Sequence, residues 1–288
     1  MKAKMKSKLN LEKRVPLQEV IPLSTPFLIY IDPSSMCNFQ CKFCPSGHKD
    51  LIKRTGYSKK VMGLDLFKKI IRDLNQFDNP IKVLRMNKIG EPFLNKNLSE
   101  MIACAKKSGC VEYIDLATNG SLLSNDRIVK VIGAGLDRLN ISIEGVNDEQ
   151  YQKFAGIKIK FDTLVDTIKW LYAHKGNCEI TIKIPGNYTT QKEKKRFLEI
   201  FGNYCDRIFI EEIAPIWPFF DIEAYSGISV GKSKGQYKQP LNAKNICTYI
   251  FYSMAINADG TVSACCPDWE QKLIIGDVRK QSDRKSVV

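Results

Sequence analysis

The sequence predicts an α/β protein whose main part is a partial (β/α)6, TIM-like barrel followed by a small C-terminal appendage. The alternation of strand-like with helical segments and the number of these units carry this prediction. Short apolar segments alternate with segments of helical period between residues 27 and 213, which gives six strands with five helices between them. Parallel strands need crossover connections, and helices usually supply them, so this order favours a parallel sheet covered by helices. Six units are too few for a closed eight-stranded barrel and therefore predict an open one.

The elements follow one another at regular spacing. The predicted strands are residues 27–31, 81–86, 111–117, 136–143, 179–184 and 207–213. The predicted helices are residues 64–77, 98–107, 126–132, 162–173 and 192–201. In the first helix, Leu64, Phe67 and Ile71 recur at intervals of three and four residues, which is the pattern of a helix buried on one face. Ligands of such sheets bind beyond the carboxyl ends of the strands, so this rim is the expected site.

Composition divides the chain into four parts. Residues 1–25 are basic and interrupted by prolines, and they predict a mobile tail with an extended lead-in. Residues 26–213 form the barrel, and residues 214–246 form a linker that is rich in aromatic residues and prolines at its start. We expect these aromatics to pack the appendage, residues 247–288, onto the barrel, with a substrate-facing lid as the alternative.

The charge and the cysteine content restrict the partners and the compartment. The 288 residues carry a formal net charge of +13 and include 10 cysteines. The positive charge favours an acidic substrate or partner, whereas no RNA-binding signature with interleaved aromatics is present, so nucleic acid is not expected. No segment has the length of a membrane-spanning helix, and the start lacks the apolar core of a secretory signal. We therefore expect a cytoplasmic protein whose reduced cysteines are ligands or core residues.

Three cysteines lie close together in the loop after the first strand. Cys37, Cys41 and Cys44 are spaced so that one turn of loop can direct all three thiols towards a single point. Such convergence suits a cuboidal [4Fe-4S] cluster, in which three protein sulfurs leave one iron open for chemistry. His48 follows at a spacing that would instead complete a zinc site of three cysteines and one histidine. Three buried thiols of a core loop are the third interpretation.

Polar and glycine-rich motifs follow the next three strands. The second strand leads into residues 90–92 (Gly-Glu-Pro), the third into residues 118–120 (Thr-Asn-Gly), and the fourth carries Ser142 and Glu144. Each motif alone is typical of an ordinary turn or strand end. Because the carboxyl ends of parallel strands meet at one edge, the succession of four such loops predicts a single binding site.

In this order the motifs resemble those of the radical SAM superfamily. The resemblance covers roughly residues 27–213 and rests on the Cys-x3-Cys-x2-Cys loop, the Gly-Glu-Pro and the Ser-x-Glu. Phe43, directly before the third cysteine, stands where that family places a ring near adenine. Residues 151–173 resemble the corresponding stretch of the family's peptide- and sugar-modifying branch. Ile89 departs from the pattern, because many members have an additional glycine there.

The resemblance implies the cofactors and their contacts. S-adenosylmethionine (SAM) would chelate the open iron, with Glu91 accepting a hydrogen bond from its amino group, Ser142 meeting its carboxylate and Glu144 its ribose hydroxyls. Gly90 and Asn119 are expected to contact the same cofactor. An electron from the cluster would cleave the sulfonium, and the 5'-deoxyadenosyl radical would take a hydrogen atom from an unactivated carbon. A flavodoxin- or ferredoxin-type protein is the expected electron donor.

Two lysines also lie near the predicted rim. Lys88 precedes the Gly-Glu-Pro motif, and Lys183 lies near the end of the fifth strand. Either could contact a substrate or the SAM carboxylate, but we expect both to be solvated. The cysteines outside the motifs are expected to be buried apolar thiols, namely Cys104, Cys110, Cys178 and Cys205.

The appendage contains a second group of cysteines. Cys247, Gly260 and Cys265 satisfy a Cys-x(9 to 15)-Gly-x4-Cys pattern, and a hairpin that turns at Asp259 and Gly260 would bring the two cysteines together. This resembles the first half of a SPASM domain, a fold that holds auxiliary iron-sulfur clusters near the substrate. The later cysteines of a full SPASM domain are missing, so we expect at most one auxiliary cluster, with Cys266 as candidate third ligand. A hairpin cap without a cluster is the alternative.

The sequence therefore predicts a radical SAM enzyme with a truncated SPASM- or twitch-like appendage. The leading hypothesis is hydrogen abstraction from a sugar, a sugar nucleotide or a similar metabolite, which would result in oxidation, epimerisation or rearrangement. Maturation of a ribosomally made peptide is the alternative within the same class. The alternative of another class is a non-catalytic zinc-binding protein with the ligands Cys37, Cys41, Cys44 and His48.

Overall fold

One sheet of ten strands organises the part of the chain that the computed structural model describes, which is residues 1–8, 15–57, 59–231, 233–241 and 246–280. The strands are β1 (Lys4–Met5), β2 (Leu28–Ile31), β3 (Ile81–Arg85), β4 (Val111–Thr118), β5 (Arg138–Ser142), β6 (Glu179–Pro185), β7 (Arg207–Glu211), β8 (Ser253–Ile256), β9 (Thr261–Ser263) and β10 (Ile274–Asp277). Their order across the sheet is β1-β7-β6-β5-β4-β3-β2-β8-β9-β10. Strands β1 to β8 pair in parallel, and β8, β9 and β10 pair antiparallel.

Helices connect the parallel strands. They are α1 (Lys49–Arg54), α2 (Leu64–Leu74), α3 (Leu98–Ser108), α4 (Asn125–Gly133), α5 (Asp148–Gln150), α6 (Phe161–Ala173), α7 (Gln191–Phe201) and α8 (Ile222–Ser226). Their starts follow local capping chemistry: Ser124 accepts a hydrogen bond from the backbone at the start of α4, and Thr190 and Glu193 form a capping box at α7. Helices α2, α3, α4 and α6 contact one another in succession. None of the described helices combines the length and the apolar character needed to cross a membrane.

The predicted fold class is confirmed. All six barrel strands and all five helices between them are present, with ends that differ by a few residues. The first residues differ from the predicted tail, because β1 pairs in parallel with β7 and so extends the sheet at its edge. Residues 9–14 of the tail, residues 232 and 242–245 of the linker, and residues 281–288 of the appendage lie outside the described residues.

The appendage continues the barrel sheet instead of standing apart from it. Strand β8 pairs in parallel with β2, from Leu28 opposite Ser253 to Ile31 opposite Ile256. The predicted hairpin then turns between β8 and β9. Strand β2 is the first barrel strand, so one of its edges would expose unpaired backbone groups without this partner. The pairing fixes the appendage cysteines relative to the cysteine loop that follows β2.

The linker carries α8 and packs largely as expected. Phe220 contacts Trp269 edge to face, with ring centroids 6.3 Å apart. The indole nitrogen of Trp269 donates to the carbonyl oxygen of Pro218 at 2.7 Å. These contacts hold the linker against the appendage, and Phe220 and Trp269 belong to one apolar cluster with Ile89 of the barrel. Phe219 differs, since its side chain is 87% exposed.

A buried polar network lies inside the barrel. Arg85 of β3 donates two hydrogen bonds of 3.2 Å to the two carboxylate oxygens of Asp115 of β4. Asn140 of β5 donates to the same carboxylate at 3.1 Å. Asp115 and Asn140 are completely buried, and Arg85 is nearly so. The network therefore joins three neighbouring strands directly below the rim.

Candidate active site

The cysteine loop, residues 36–44, is fixed by backbone contacts after β2. Glu91 donates a backbone hydrogen bond of 2.7 Å to the carbonyl oxygen of Met36. Gly90 passes so close to the loop that a Cβ there would collide with the carbonyl oxygens of Ser34 and Met36. Glycine is required at this position because only a residue without a side chain allows such an approach. The Gly-Glu-Pro motif therefore also positions the cysteines.

Cys37, Cys41 and Cys44 line one cavity of about 230 Å³ at the rim, called the rim cavity below. Burial raises the pKa of Cys37 to about 12, and it raises the pKa of Cys41 and of Cys44 as well. Such thiols stay neutral unless positive charge lies beside them. The iron ions of a cluster supply that charge, and a coordinating thiol is then deprotonated. A set of three thiols around one cavity fits a [4Fe-4S] cluster with one open iron.

His48 does not join the three cysteines. Its Nε2 lies 2.9 Å from the carbonyl oxygen of Lys42, and its ring packs against Phe220 and Tyr225 at centroid distances of 5.4 and 5.1 Å. Within the described ranges, no three His, Cys, Asp or Glu side chains are placed to hold a single metal ion. His48 does not line the cavity of the three thiols, so it is not placed as the fourth ligand of a zinc site there.

Glu91 is buried and fixed by the end of β4. Its Oε1 accepts hydrogen bonds from the backbone of Phe93 at 3.0 Å and from the hydroxyl of Thr118 at 2.8 Å. Its Oε2 accepts one from the backbone of Asn119 at 2.8 Å. Burial raises the pKa of Glu91, and the hydrogen bonds oppose that rise. Because each carboxylate oxygen can accept two hydrogen bonds, Oε2 retains one acceptor position.

Asn119 connects the end of β4 to the cysteine loop. Its Nδ2 donates to Oδ1 of Asn38 at 2.9 Å, and Asn38 donates to Oγ of Ser121 at 2.8 Å. Ser121 closes the ring by donating from its hydroxyl to Oδ1 of Asn119 at 2.7 Å. Both polar atoms of the Asn119 side chain are thus hydrogen-bonded, and its Nδ2 contacts the cysteine loop directly.

Ser142 and Glu144 lie at the end of β5 and line the rim cavity. Glu144 is buried and its Oε2 accepts a hydrogen bond of 2.9 Å from the hydroxyl of Tyr188. Burial raises the pKa of Glu144 to about 7, and the Tyr188 hydroxyl moderates this rise. Tyr188 stacks on Phe154 with ring centroids 3.9 Å apart and on Phe43 at 6.2 Å. Sequence reasoning missed Tyr188, since it lies in a loop that no motif marks.

Lys183 is paired instead of solvated, so that expectation is wrong. Its Nζ lies 2.5 Å from Oε1 of Glu211, and the amide of Gln236 donates to Oε2 of the same carboxylate at 2.9 Å. All three residues line the rim cavity. Lys183 is also the register partner of Ser142 on the neighbouring strand. The cavity therefore has a charged polar end that the motifs did not reveal, because the pairing joins β6, β7 and the linker.

Lys88 is also bound by protein groups instead of solvated, and its side chain is half-buried. Its Nζ lies 2.5 Å from Oδ1 of Asn257, 3.3 Å from Oγ of Ser263 and 3.1 Å from the carbonyl oxygen of Asp268. All three acceptors belong to the appendage. The lysine therefore connects the end of β3 to the hairpin and does not point into the rim cavity.

The appendage cysteines lie near one another. The thiol of Cys265 interacts with those of Cys247 and Cys266, and the Cys265 thiol together with the Tyr30 hydroxyl holds the pKa of Cys266 below its usual value. Among the other four cysteines, Cys110, Cys178 and Cys205 are buried as expected, whereas Cys104 is half-buried.

The fold is an open barrel whose rim cavity is lined by three cysteines of one loop. Residues 31–198 match the family model of the radical SAM superfamily, and residues 247–285 match that of SPASM, an iron-sulfur cluster-binding domain. The chain belongs to the radical SAM superfamily and carries a SPASM-type C-terminal domain. Its cofactors are accordingly a [4Fe-4S] cluster and SAM.

Curated relatives and solved structures agree with this family. The chain is 28% identical over 183 residues to a probable GTP 3',8-cyclase of Saccharolobus islandicus, which covers 63% of this chain and 55% of that protein. It is 25% identical over 197 residues to the tungsten-containing aldehyde ferredoxin oxidoreductase cofactor-modifying protein of Pyrococcus furiosus. This match covers 66% of this chain and 52% of that protein. The chain thus spans about half the length of these curated relatives.

A solved structure shows the same fold over nearly the whole chain. Streptococcus suis SuiB bound to S-adenosylmethionine superposes with a TM-score of 0.67 and 14% identity, covering 93% of this chain and 67% of that one. At this low identity the similarity concerns the fold, and SuiB's ligands are properties of SuiB.

Proposed function

We propose that this enzyme cleaves SAM reductively and abstracts a hydrogen atom from a sugar, a sugar nucleotide or a similar hydroxyl-bearing metabolite. One observation carries the proposal: the three thiols of the cysteine loop line the same cavity as Glu91, Ser142 and Glu144. When bound, the cluster supplies the electron that cleaves the SAM sulfonium, and the 5'-deoxyadenosyl group takes the hydrogen atom.

The contribution of the chain is to bind and orient SAM. Glu91 offers the free acceptor position of Oε2 to the amino group, and Ser142 offers its hydroxyl to the carboxylate. Glu144, held by Tyr188 at 2.9 Å, accepts from the ribose hydroxyls. Phe43 forms the aromatic wall for adenine. Buried groups that are already fixed by other contacts need no reorganisation when the ligand binds, which is how such sites orient a reaction.

Gly90 and Asn119 complete the proposed SAM site. Gly90 allows the cysteine loop to approach the end of β3, and Asn119 orients the same loop through Asn38. Neither residue needs a direct contact with the reacting atoms for this role. Together they would keep the three thiols and the proposed SAM contacts in register.

The polar end of the rim cavity supports a hydroxyl-rich substrate. Four glutamates and one lysine line the cavity, so an acidic group of the substrate would bind at Lys183. Lys183 supplies a cation, whereas Glu211 and Gln236 supply groups that can accept and donate hydrogen bonds. The formal net charge of +13 suits the same class. The name of the Saccharolobus relative, a GTP 3',8-cyclase, also favours a phosphorylated nucleotide-type compound.

Maturation of a peptide is the second candidate function. A structure of SuiB bound to the precursor peptide SuiA superposes with a TM-score of 0.68 at 12% identity, covering 94% of this chain and 66% of that chain. This supports the candidate through the shared fold. The two functions differ in what the charged end of the cavity binds.

We further propose one auxiliary iron-sulfur cluster at Cys247, Cys265 and Cys266, whose thiols are grouped at the hairpin. A flavodoxin- or ferredoxin-type protein is the proposed electron donor. We also infer a cytoplasmic location, because thiols that hold clusters need a reducing compartment.

The first test is the formation of 5'-deoxyadenosine. Anaerobically purified protein, reduced with dithionite and supplied with SAM, is expected to release 5'-deoxyadenosine, detected by liquid chromatography and mass spectrometry. Turnover should rise when a sugar nucleotide from a substrate panel fits the site. Absence of 5'-deoxyadenosine in a protein that carries about four irons per cluster would reject the proposed reaction.

Exchange of Lys183 for methionine tests the substrate class. We expect Lys183→Met to lower kcat/KM for an anionic substrate by about 10- to 100-fold, because a hydrogen bond to a charged group contributes about 1.5–3 kcal/mol. SAM affinity should change little. Lys183→Met also leaves the Glu211 carboxylate without its cation. The double variant Lys183→Met with Glu211→Gln is the control for this side effect, because it removes the unpaired charge as well. A weakened SAM affinity with unchanged substrate KM would instead assign Lys183 to the SAM carboxylate.

A further inference from the structure

Lys88 lies at the junction of two functional segments. Along the chain it directly precedes Ile89, Gly90 and Glu91, which form the wall of the rim cavity. Its side chain runs in the opposite direction, into the appendage, and burial lowers its pKa. Its backbone therefore adjoins the residues that line the rim cavity, and its ammonium group contacts the hairpin that carries the second set of cysteines.

The acceptors of Lys88 are rigid parts of that hairpin. Asn257 and Ser263 are completely buried, and the amide of Asn257 donates to Oγ of Ser263 at 3.0 Å. The third acceptor, the carbonyl oxygen of Asp268, belongs to a turn whose backbone nitrogen donates to the carbonyl oxygen of Cys265 at 3.2 Å. A movement of the Cys265 turn would therefore displace an atom bonded to Lys88.

The charge at this junction is not neutralised by a direct ion pair. Each of the three groups that accept from Lys88 is a neutral amide, hydroxyl or carbonyl. The nearby carboxylate of Asp32 is 1% exposed and interacts with the Lys88 ammonium group and with the backbone of residues 88–90. A largely desolvated cation interacts strongly with a change of charge nearby. A cluster bound at Cys265 and Cys266, whose thiols interact electrostatically with Lys88, would be such a change.

We propose that Lys88 is a positioning residue that couples occupancy of the second cysteine site to the affinity of the rim cavity for SAM. The inference rests on the proposed auxiliary cluster and names a regulation of the proposed SAM site. An occupied second site holds the Cys265 turn and attracts the Lys88 ammonium group, which fixes the backbone of Ile89, Gly90 and Glu91. Because coupling between two binding sites is reciprocal, SAM binding would likewise stabilise the second site.

A double-mutant cycle on the iron-loaded protein tests this coupling. The SAM dissociation constant is measured anaerobically by equilibrium dialysis for wild type, Cys265→Ala/Cys266→Ala, Lys88→Met and the combined variant. We expect the cysteine substitutions to weaken SAM binding about fivefold or more in the wild-type background. In the Lys88→Met background, the same cysteine substitutions should change the SAM dissociation constant by less than about twofold. Lys88→Arg, which keeps the charge, should retain most of the coupling.

Two controls separate coupling from general damage. Lys82→Met removes an exposed lysine of β3, the strand that precedes Lys88. The Nζ of Lys82 lies 2.5 Å from Glu112, and its removal should leave the effect of the cysteine substitutions on SAM binding unchanged. If Lys88→Met does not fold, Ser263→Ala removes only one acceptor and should reduce the coupling in part. The proposed coupling would be wrong if the cysteine substitutions changed the SAM dissociation constant equally in the wild-type and Lys88→Met backgrounds. It would also be wrong if they did not change it in the wild-type background.

Iron content distinguishes failure of this inference from failure of the proposed function. A protein with iron for the first cluster alone would reject the auxiliary site, and the coupling with it. A protein that holds both clusters and shows no coupling would reject only the role of Lys88.

Discussion

Replacing Cys37, Cys41 and Cys44 with alanine is expected to remove the first cluster and to reduce 5'-deoxyadenosine formation to that of a protein-free control. The three thiols line one cavity, and no other cysteine lines it. A cluster that loses all its protein sulfurs has no remaining attachment at the rim. The measurement combines iron analysis, visible absorption and the 5'-deoxyadenosine assay under anaerobic conditions.

The iron content of this variant also tests the second site. If Cys247, Cys265 and Cys266 hold an auxiliary cluster, about four irons should remain after the first cluster is lost. The matched control is Cys110→Ala with Cys178→Ala, because both thiols are buried in the core away from the rim cavity. This control should keep the full iron content. An unchanged iron content in the triple variant would contradict the assignment of the cysteine loop, and zero residual iron would reject the auxiliary site.

The barrel could be predicted because its signals are local. The apolar residues of α2 recur with helical period, and the strands are short apolar runs, so each element can be read without knowledge of its neighbours. The site motifs could be placed for a related reason. Parallel strands bring their carboxyl ends to one edge, so the order of strands alone groups Cys37, Glu91 and Ser142.

Features that depend on contacts distant in sequence could not be predicted. The pairing of β2 with β8 joins segments more than two hundred residues apart, and no local pattern specifies it. The contacts of Lys88 and Lys183 could not be predicted for the same reason, because a lysine near a strand end is usually solvated. Lys88 is enclosed only because β8 and β9 lie beside β2, and Lys183 only because Glu211 follows on the next strand.

The buried network of the barrel leads to the largest expected effect on stability. Asp115 has no exposed surface, and burial alone would raise its pKa. The Arg85 guanidinium and the other cations around it outweigh burial, so the pKa of Asp115 is lowered and the residue is charged at neutral pH. Its removal would leave Arg85 buried without a counter-ion, and desolvation of an unpaired charge is costly.

We therefore expect Asp115→Ala to lower the free energy of unfolding by about 3–5 kcal/mol, the usual cost of breaking a buried ion pair from one side. Glu112→Ala is the matched control on the same strand, because Glu112 pairs with Lys82 at the surface. That change should cost less than about 1 kcal/mol. Urea denaturation of metal-free protein, followed by circular dichroism, measures both. Equal losses in the two variants would mean that the barrel does not depend on this network, and that the carboxyl end of β4, which carries Asn119, is held by backbone pairing alone.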